Sequence, residues 1–201
     1  MKKSFFAFVF FLFAVAFVAA EDAQESAAKE FSTGEWNENV YTNDFLGIKY
    51  TMPEGWTKYN DEQIAEMMNL GKELLNDNQK KFAELSKLTT VYHLLANNPM
   101  NGDTVCVITE KTFLGISAET YSKTLKTQLE ALDAIDYQVS DITTREIAGR
   151  EFSELKTTVQ AIGFDITQIY YSYRLGKYIL SIIVTSRVGD EGIDSMLKDF
   201  E

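Results

Sequence analysis

The chain has 201 residues, with 19 basic and 30 acidic side chains and a formal net charge of −11 at pH 7. This balance argues against binding to nucleic acid or to an anionic membrane surface, because no basic surplus is present to pair with phosphates. Cys106 is the only cysteine, so no internal disulfide can form and stability has to come from the core.

The first 20 residues have the pattern of a secretory signal peptide. Lys2 and Lys3 precede an apolar run over residues 4–20, and the small side chains of Val18 and Ala20 match a cleavage site after residue 20. We expect a secreted or otherwise extracytoplasmic protein, whose charge becomes about −13 when the two lysines are removed. The alternative is an uncleaved anchor at the cell surface, for which an apolar run of about 17 residues is short.

Residues 21–39 are predicted to be an acidic flexible spacer, and residues 40–201 a single domain. The spacer residues are small and polar, without the sustained apolar periodicity of a packed element. Trp36 lies in this spacer and is either exposed or a clip that fastens the spacer to the domain.

The first half of the domain contains strand and helix patterns. Residues 48–52 alternate as a first strand, which ends at a Pro-Glu-Gly turn over residues 53–55. Residues 60–88 have apolar side chains at helical spacing, and we expect one long helix or two consecutive ones, capped by Asn60 or Asp61. TTVYHLLANN and DTVCVITEKTF are β-rich, and the Asn-Gly pair between them predicts a hairpin.

The second half contains a helix and then mostly strands. Ser117 is a predicted cap of the helix. Four strand candidates follow, separated by short glycine-bearing turns: DYQVSDITTREI, REFSELKTTVQ, DITQIYYSYRL and KYILSIIVTS. KYILSIIVTS is apolar on both faces, as in a central strand that is covered from above and below. DEGIDSMLKDF is a predicted final helix.

The order of these elements is β-α-ββ-α-ββββ-α, without alternating βα units. Short turns make neighbouring strands antiparallel. The order therefore predicts the α+β class, with an antiparallel β-sheet flanked by helices as an α/β/α sandwich.

Two segments resemble PsbP-like domains. YTNDFLGIKYTMPEGWTKYND resembles the opening signature of that superfamily, and DITQIYYSYRLGKYILSIIVTSRVGDEGIDSMLKDFE resembles its closing hairpin and helix. The resemblance implies an α/β/α sandwich over residues 40–201 and a protein that acts by binding. It assigns no binding residue, because no ligand-contacting position of the family matches a residue here. The chain is also similar to secreted proteins of Gram-positive gut bacteria that have this fold.

Few residues are suited to catalysis or metal binding. His93 is the only histidine, which with one cysteine excludes the usual structural zinc sites. We expect Cys106 and His93 to be buried strand residues and not a nucleophile and its base. Asp77 and Asp103 lie in oxygen-rich loops that we interpret as turns in preference to calcium sites. Ser117 opens a helix and lacks the nucleophile elbow of a serine hydrolase.

Aromatic and methionine side chains offer three further candidates. Trp56 is interpreted as a core plug, with a stacking platform for a sugar or a base as the alternative. The hairpin tyrosines are interpreted as cross-strand packing, with a binding face as the alternative; they are Tyr170, Tyr171, Tyr173 and Tyr178. Alternation places Tyr171 and Tyr173 together and Tyr170 opposite. Met67, Met68 and Leu75 are expected to pack in the core, although a partner groove would also use them.

No catalytic, cofactor-binding or metal-binding residue is assigned, and no cofactor is expected. The first hypothesis is a secreted, non-enzymatic interaction domain that binds a protein or a component of the cell envelope. The second is a small-molecule or glycan-binding protein that uses the aromatic hairpin or Trp56. The third is a carboxylate-based hydrolase, which 30 acidic residues leave open. Solvent exposure of the aromatic side chains separates the first two.

Overall fold

The structure of the protein is a computed structural model that describes residues 30–72, 80, 84, 88–112, 115–132, 135–161 and 164–201. The described residues form eleven strands: β1 (Glu35–Asn37), β2 (Val40–Asn43), β3 (Ile48–Thr51), β4 (Thr57–Lys58), β5 (Thr90–Asn97), β6 (Thr104–Lys111), β7 (Tyr137–Val139), β8 (Thr143–Ile147), β9 (Arg150–Ala161), β10 (Phe164–Leu175) and β11 (Tyr178–Ser186). They also form the helices α1 (Asp61–Lys72), α2 (Ala118–Glu130) and α3 (Asp190–Leu197). None of these described helices has the length and apolar character that a membrane-spanning segment requires.

Most strands belong to one antiparallel sheet. Its order is β4-β5-β6-β11-β10-β9-β7, and β8 pairs with β9 next to β7. The predicted hairpin β5–β6 is present, and so are the hairpins β9–β10 and β10–β11. β11 lies between β6 and β10, and all its residues from Ile179 to Ser186 are buried. The prediction of a central strand that is covered on both faces is therefore confirmed.

One face of this sheet packs against α1 and α2. The sheet contributes Leu95, Cys106, Ile108, Leu155, Tyr170, Ile179 and Ile183, and the helices contribute Ile64, Tyr121, Leu125 and Leu129. Both helices begin at predicted caps. Asn60 Oδ1 accepts from the backbone N–H of Gln63 at 2.9 Å, and Ser117 Oγ accepts from the N–H of Thr120 at 3.1 Å.

The opposite face is covered by α3 and by a second, smaller sheet with the order β1-β2-β3. The shared cluster includes Tyr41, Leu46, Ile48 and Tyr50 from the small sheet, Ile193 and Met196 from α3, and Val105, Val107, Leu180, Ile182 and Val184 from the large sheet. The α+β class, with an antiparallel sheet flanked by helices, is confirmed. The second covering layer differs from a pure helical layer because it is partly β.

Three details of the prediction need correction. β1 lies within residues 21–39, the predicted spacer, and pairs with β2 along its whole length, so the folded body starts before residue 40. DYQVSDITTREI forms two strands, because Ser140 Oγ accepts the N–H of Lys156 at 3.2 Å where a continuous strand would offer a carbonyl. β2 and β4 were not predicted, since strands of four and two residues show too little alternation. The predicted signal peptide and residues 21–29 of the predicted spacer lie outside the described residues.

Arg150 holds the small sheet against the large one. Its Nη1 donates to the Leu46 carbonyl at 2.7 Å, and its Nη2 donates to the Gly47 carbonyl. Its guanidinium carbon lies 5.6 Å from the ring centroid of Tyr173. Gly47 has a φ of 61°, and a Cβ there would lie 2.5 Å from Arg150 Nη2. The turn therefore requires glycine both for its backbone conformation and for the approach of Arg150.

Arg150→Ala should lower the free energy of unfolding by about 1.5–3 kcal/mol, the range for hydrogen bonds to a charged group. Arg150→Lys should recover only part of this loss, because an ammonium group lacks the planar fork that reaches two carbonyls. Arg145→Ala is the matched control, since Arg145 Nη2 and Asp194 Oδ1 form a 2.7 Å pair that is about half exposed and worth about 0–1 kcal/mol. Urea unfolding measures all three variants, and equal losses for the two alanine variants would contradict the role of Arg150.

Candidate functional site

The tyrosines of the β10–β11 hairpin are packing residues. Tyr170 and Tyr171 are each 1% exposed and lie on opposite faces of the large sheet. Tyr173 and Tyr178 are half-buried on the same face as Tyr171, and the Tyr173 ring centroid is 5.3 Å from that of Phe152. The hairpin is therefore not the exposed aromatic face that a glycan site requires.

The two tryptophans also pack on the core. Trp56 is half-buried against the cluster between the two sheets, which agrees with a plug at the corner after the turn. Trp36 lies in β1, with its ring centroid 5.4 Å from that of Tyr41 and 6.5 Å from that of Tyr50. Lys58 Nζ lies 5.0 Å from the Trp36 ring centroid. Trp36 thus fastens the N-terminal strand to the domain, the second of its two predicted roles.

Cys106 and His93 face opposite sides of the large sheet. Cys106 is completely buried in the cluster under the helices, and burial raises the pKa of its thiol. His93 contacts Asn43 of the small sheet and Thr109 of β6. The two residues are therefore not arranged as a nucleophile and a base.

The described residues contain no group of three or more His, Cys, Asp or Glu side chains that could hold a metal ion. Asp103 belongs to a turn, as expected: its Oδ2 accepts from Asn101 Nδ2 at 2.8 Å, and its Oδ1 accepts from the N–H of Arg187 at 3.2 Å. Met67 and Met68 are half-buried against the cluster under the helices. Leu75 and Asp77 lie outside the described residues.

A segment that we call the strap, residues 30–34, has the geometry of a bound peptide. It directly precedes β1 and is largely exposed, while side chains of β2 and β5 lie buried beneath it. Tyr41 Oη donates to the Thr33 carbonyl at 2.7 Å, and Asn43 Nδ2 donates to the Ser32 carbonyl at 3.0 Å. Two buried side chains therefore hold two consecutive backbone carbonyls.

Phe31 of the strap fills an aromatic slot. Its ring centroid lies 5.1 Å from that of Phe45, 6.0 Å from that of His93 and 5.6 Å from that of Tyr178, on which it stacks at 29°. Phe31 is 40% exposed, whereas Phe45 and His93 are 9% and 8% exposed. The strap thus covers the slot from the outside. We call the surface beneath it the groove; it consists of Tyr41, Asn43, Phe45, His93 and Tyr178.

The floor of the groove is a buried polar network. Asn43 Oδ1 accepts from the N–H of Leu46 at 2.9 Å, and Asn43 Nδ2 lies 2.9 Å from Tyr41 Oη and 3.3 Å from His93 Nδ1. His93 Nε2 lies 2.9 Å from Thr109 Oγ1. Burial lowers the pKa of His93 to about 4, so its ring is neutral at pH 7. An uncharged set of donors and acceptors suits a polypeptide backbone.

The groove was not predicted from the sequence. The strap lies in the predicted spacer, and Asn43 was noted only as part of the segment YTNDFLGIKYTMPEGWTKYND. The available signal was the alternation in VYTN, which places Tyr41 and Asn43 on the same side of β2. An asparagine on the core side of a strand needs hydrogen-bond partners.

Comparison with known proteins gives structural neighbours only. No protein-family model matches the chain, and no curated protein matches it. The chain is similar to a protein from Bacteroides thetaiotaomicron VPI-5482 at 13% identity and a TM-score of 0.40, covering 77% of this chain and 44% of that one. It is similar to cyanobacterial PsbP (CyanoP) from Synechocystis sp. PCC 6803 at 10% identity and a TM-score of 0.47, covering 81% and 90%.

A third neighbour is LpqN of Mycobacterium tuberculosis, a protein involved in cell envelope biogenesis, at 10% identity and a TM-score of 0.39, covering 76% of each chain. The chain spans less than half the length of the Bacteroides protein. At these identities and TM-scores, no ligand, partner or activity of a neighbour is transferred to this chain.

Proposed function

We propose that the chain is an extracytoplasmic interaction domain that acts by binding and not by catalysis. Its ligand is a linear polypeptide segment of a protein partner, and its binding site is the groove that the strap occupies. The strap is then an internal ligand, which a partner segment replaces.

The observation that carries the proposal is the recognition of two consecutive carbonyls, those of Ser32 and Thr33. Hydrogen bonds to the main chain do not depend on the side chains of the bound segment, so they supply affinity. The aromatic slot beside them supplies selectivity for a ring. Peptide-binding domains commonly combine these two elements. A partner segment with an aromatic residue followed by two small residues fits this arrangement.

The other ligand classes have less support. A glycan site needs exposed aromatic rings on one face, and Tyr171 is 1% exposed. A carboxylate-based hydrolase needs two carboxylates close together in a cleft, whereas the polar floor of the groove is formed by a phenol, an amide, an imidazole and a hydroxyl. Export of the domain rests on the signal-peptide pattern of its first 20 residues.

Phe31→Ala should lower the free energy of unfolding by about 1–2 kcal/mol, because a fully buried phenyl ring contributes about 1.5–3 kcal/mol and Phe31 retains part of its exposure. Met100→Ala is the control, since Met100 is 91% exposed and surface changes stay within about 0.5 kcal/mol. Urea unfolding measures the free energy of unfolding of both variants. Losses of the same size would show that the strap is not bound in solution.

A labelled peptide of residues 26–35, SAAKEFSTGE, should bind in trans to the full chain carrying Phe31→Ala, whose slot is vacant. It should bind at least tenfold more weakly to the unchanged chain, because the attached strap competes at a high effective concentration. Fluorescence anisotropy of the labelled peptide measures both affinities.

The matched control peptide is SAAKEASTGE, which lacks the ring. It should bind to the Phe31→Ala chain at least tenfold more weakly than the parent peptide, since about 1.4 kcal/mol corresponds to a factor of ten. Adding Tyr41→Phe to the Phe31→Ala chain should weaken binding of the parent peptide by about 1 kcal/mol, because the peptide carbonyl equivalent to that of Thr33 loses its hydrogen-bond donor. Equal affinity for the two peptides, or no binding at millimolar concentration, would refute the proposed site.

A further inference from the structure

We propose that protonation of His93 empties the groove, so that acid releases the strap. The basis is the contact between His93 and Asn43, because Asn43 is one of the two side chains that hold the strap. That a partner segment would leave by the same route rests on the function proposed above.

The amide of Asn43 has one allowed orientation. Its Oδ1 accepts from the N–H of Leu46, and its Nδ2 donates to the Ser32 carbonyl. A flip of the amide would place Nδ2 against the Leu46 N–H and Oδ1 against the Ser32 carbonyl, so both bonds would be lost. Nδ2, which donates to the Ser32 carbonyl and to Tyr41 Oη, therefore lies 3.3 Å from His93 Nδ1 and has no lone pair with which to accept from it.

A neutral His93 ring suits this arrangement and a protonated one does not. With its proton on Nε2, the ring donates to Thr109 Oγ1 and directs the lone pair of Nδ1 towards the Asn43 amide group. A second proton, on Nδ1, would direct the new N–H of His93 at the N–H group of Asn43. The Thr33 carbonyl stabilises the charged ring in part, but burial outweighs it. The conflict is removed when Asn43 turns and gives up the Ser32 carbonyl, or when the strap departs and water solvates the cation. Either movement removes a contact that holds the strap.

The pH range in which the strap is released follows from the burial of His93. Burial lowers the pKa of His93 from 6.5 to about 4, while the nearby Thr33 carbonyl acts in the opposite sense and offsets only part of the effect. A lowered pKa means that the closed groove prefers the neutral ring. Its stabilisation is complete above pH 6.5 and is lost as the pH falls towards 4. Across this range, the ratio of closed to open strap should fall up to about tenfold per pH unit.

Other charged groups near His93 do not produce the same dependence of strap release on pH. The elements packed against it carry the phenols of Tyr41 and Tyr178, the cations of Lys111 and Lys177, and the carboxylates of Glu30 and Asp44. Burial raises the pKa of Tyr41, so this phenol stays neutral in acid. The carboxylates are exposed on the strap and on the β2–β3 turn. Only the imidazole changes charge within the buried floor.

The first measurement is an NMR titration, because His93 is the only histidine in the chain. Its ring signals should titrate well below pH 6.5 in the unchanged chain. In the Phe31→Ala variant, the His93 ring loses the cover of Phe31, so the His93 signals should titrate closer to pH 6.5. Titration of the unchanged chain at the ordinary value would overturn the proposal.

The second measurement follows the strap with a dye attached to a Glu30→Cys variant of the full chain. Glu30 is exposed and Cys106 is completely buried, so labelling is selective. The dye anisotropy should fall between pH 6.5 and 4 with the midpoint of the His93 titration, while far-UV circular dichroism stays native. With His93→Gln added, this fall should disappear.

Three outcomes would overturn the proposal: a fall that persists with His93→Gln, no fall in the variant that retains His93, or a fall that coincides with global unfolding. If the glutamine variant does not fold, the two midpoints measured with His93 decide the result, and a separation of more than about one pH unit overturns the proposal.

These readouts do not use the trans peptide, so the two proposals can fail separately. Peptide binding with a strap that stays closed in acid would overturn only the role of His93. Strap release with His93 titration, together with no peptide binding, would overturn only the proposed function.

Discussion

The structure depends on the burial of its central strands on both faces. Along β6 and β11, alternate side chains enter two different clusters, and residues Val105–Ile108 and Ile182–Val184 are completely buried. Each face needs a cover, since exposed apolar area costs roughly 25 cal/mol per Å². Two helices cover one face. The other cover is assembled from the small sheet, α3 and both ends of the described chain, and the groove lies at a seam of this composite layer.

A seam between two sheets leaves polar groups that need partners. Tyr41 and Asn43 are almost completely buried where the small sheet meets β5, and an unpaired buried polar group costs about 1–3 kcal/mol. The strap supplies the missing acceptors through two backbone carbonyls. When the strap leaves, water or another segment has to take their place. The same requirement accounts for a histidine in this layer, since its two ring nitrogens contact Asn43 and Thr109.

Sequence patterns predicted the elements whose signal is local. β5, β6, β9, β10 and β11 each have eight or more residues, enough for alternation and turn residues to reveal them, and the caps Asn60 and Ser117 follow a short-range rule. β1 was missed because Trp36 is its only large apolar residue. The groove was missed because its parts are far apart in the chain: Asn43 and His93 are separated by 50 positions. A contact of this kind leaves no periodic trace in either strand.

The two ends of the described part of the chain are attached to the composite cover by different bonds, and this difference decides which of them can exchange. At the C-terminus, Lys49 and Glu201 exchange two main-chain hydrogen bonds of 2.8 Å, and Phe200 lies in the core, so removal of this end would open the small sheet. The strap is held by two side-chain donors and one partly exposed ring, and its loss leaves both sheets intact. Each of those bonds is worth about 0.5–1.5 kcal/mol, while one unit of pKa shift corresponds to about 1.4 kcal/mol. One buried proton is therefore comparable in energy to the attachment that it opposes, and the N-terminal end is the one that a proton or a competing segment can displace.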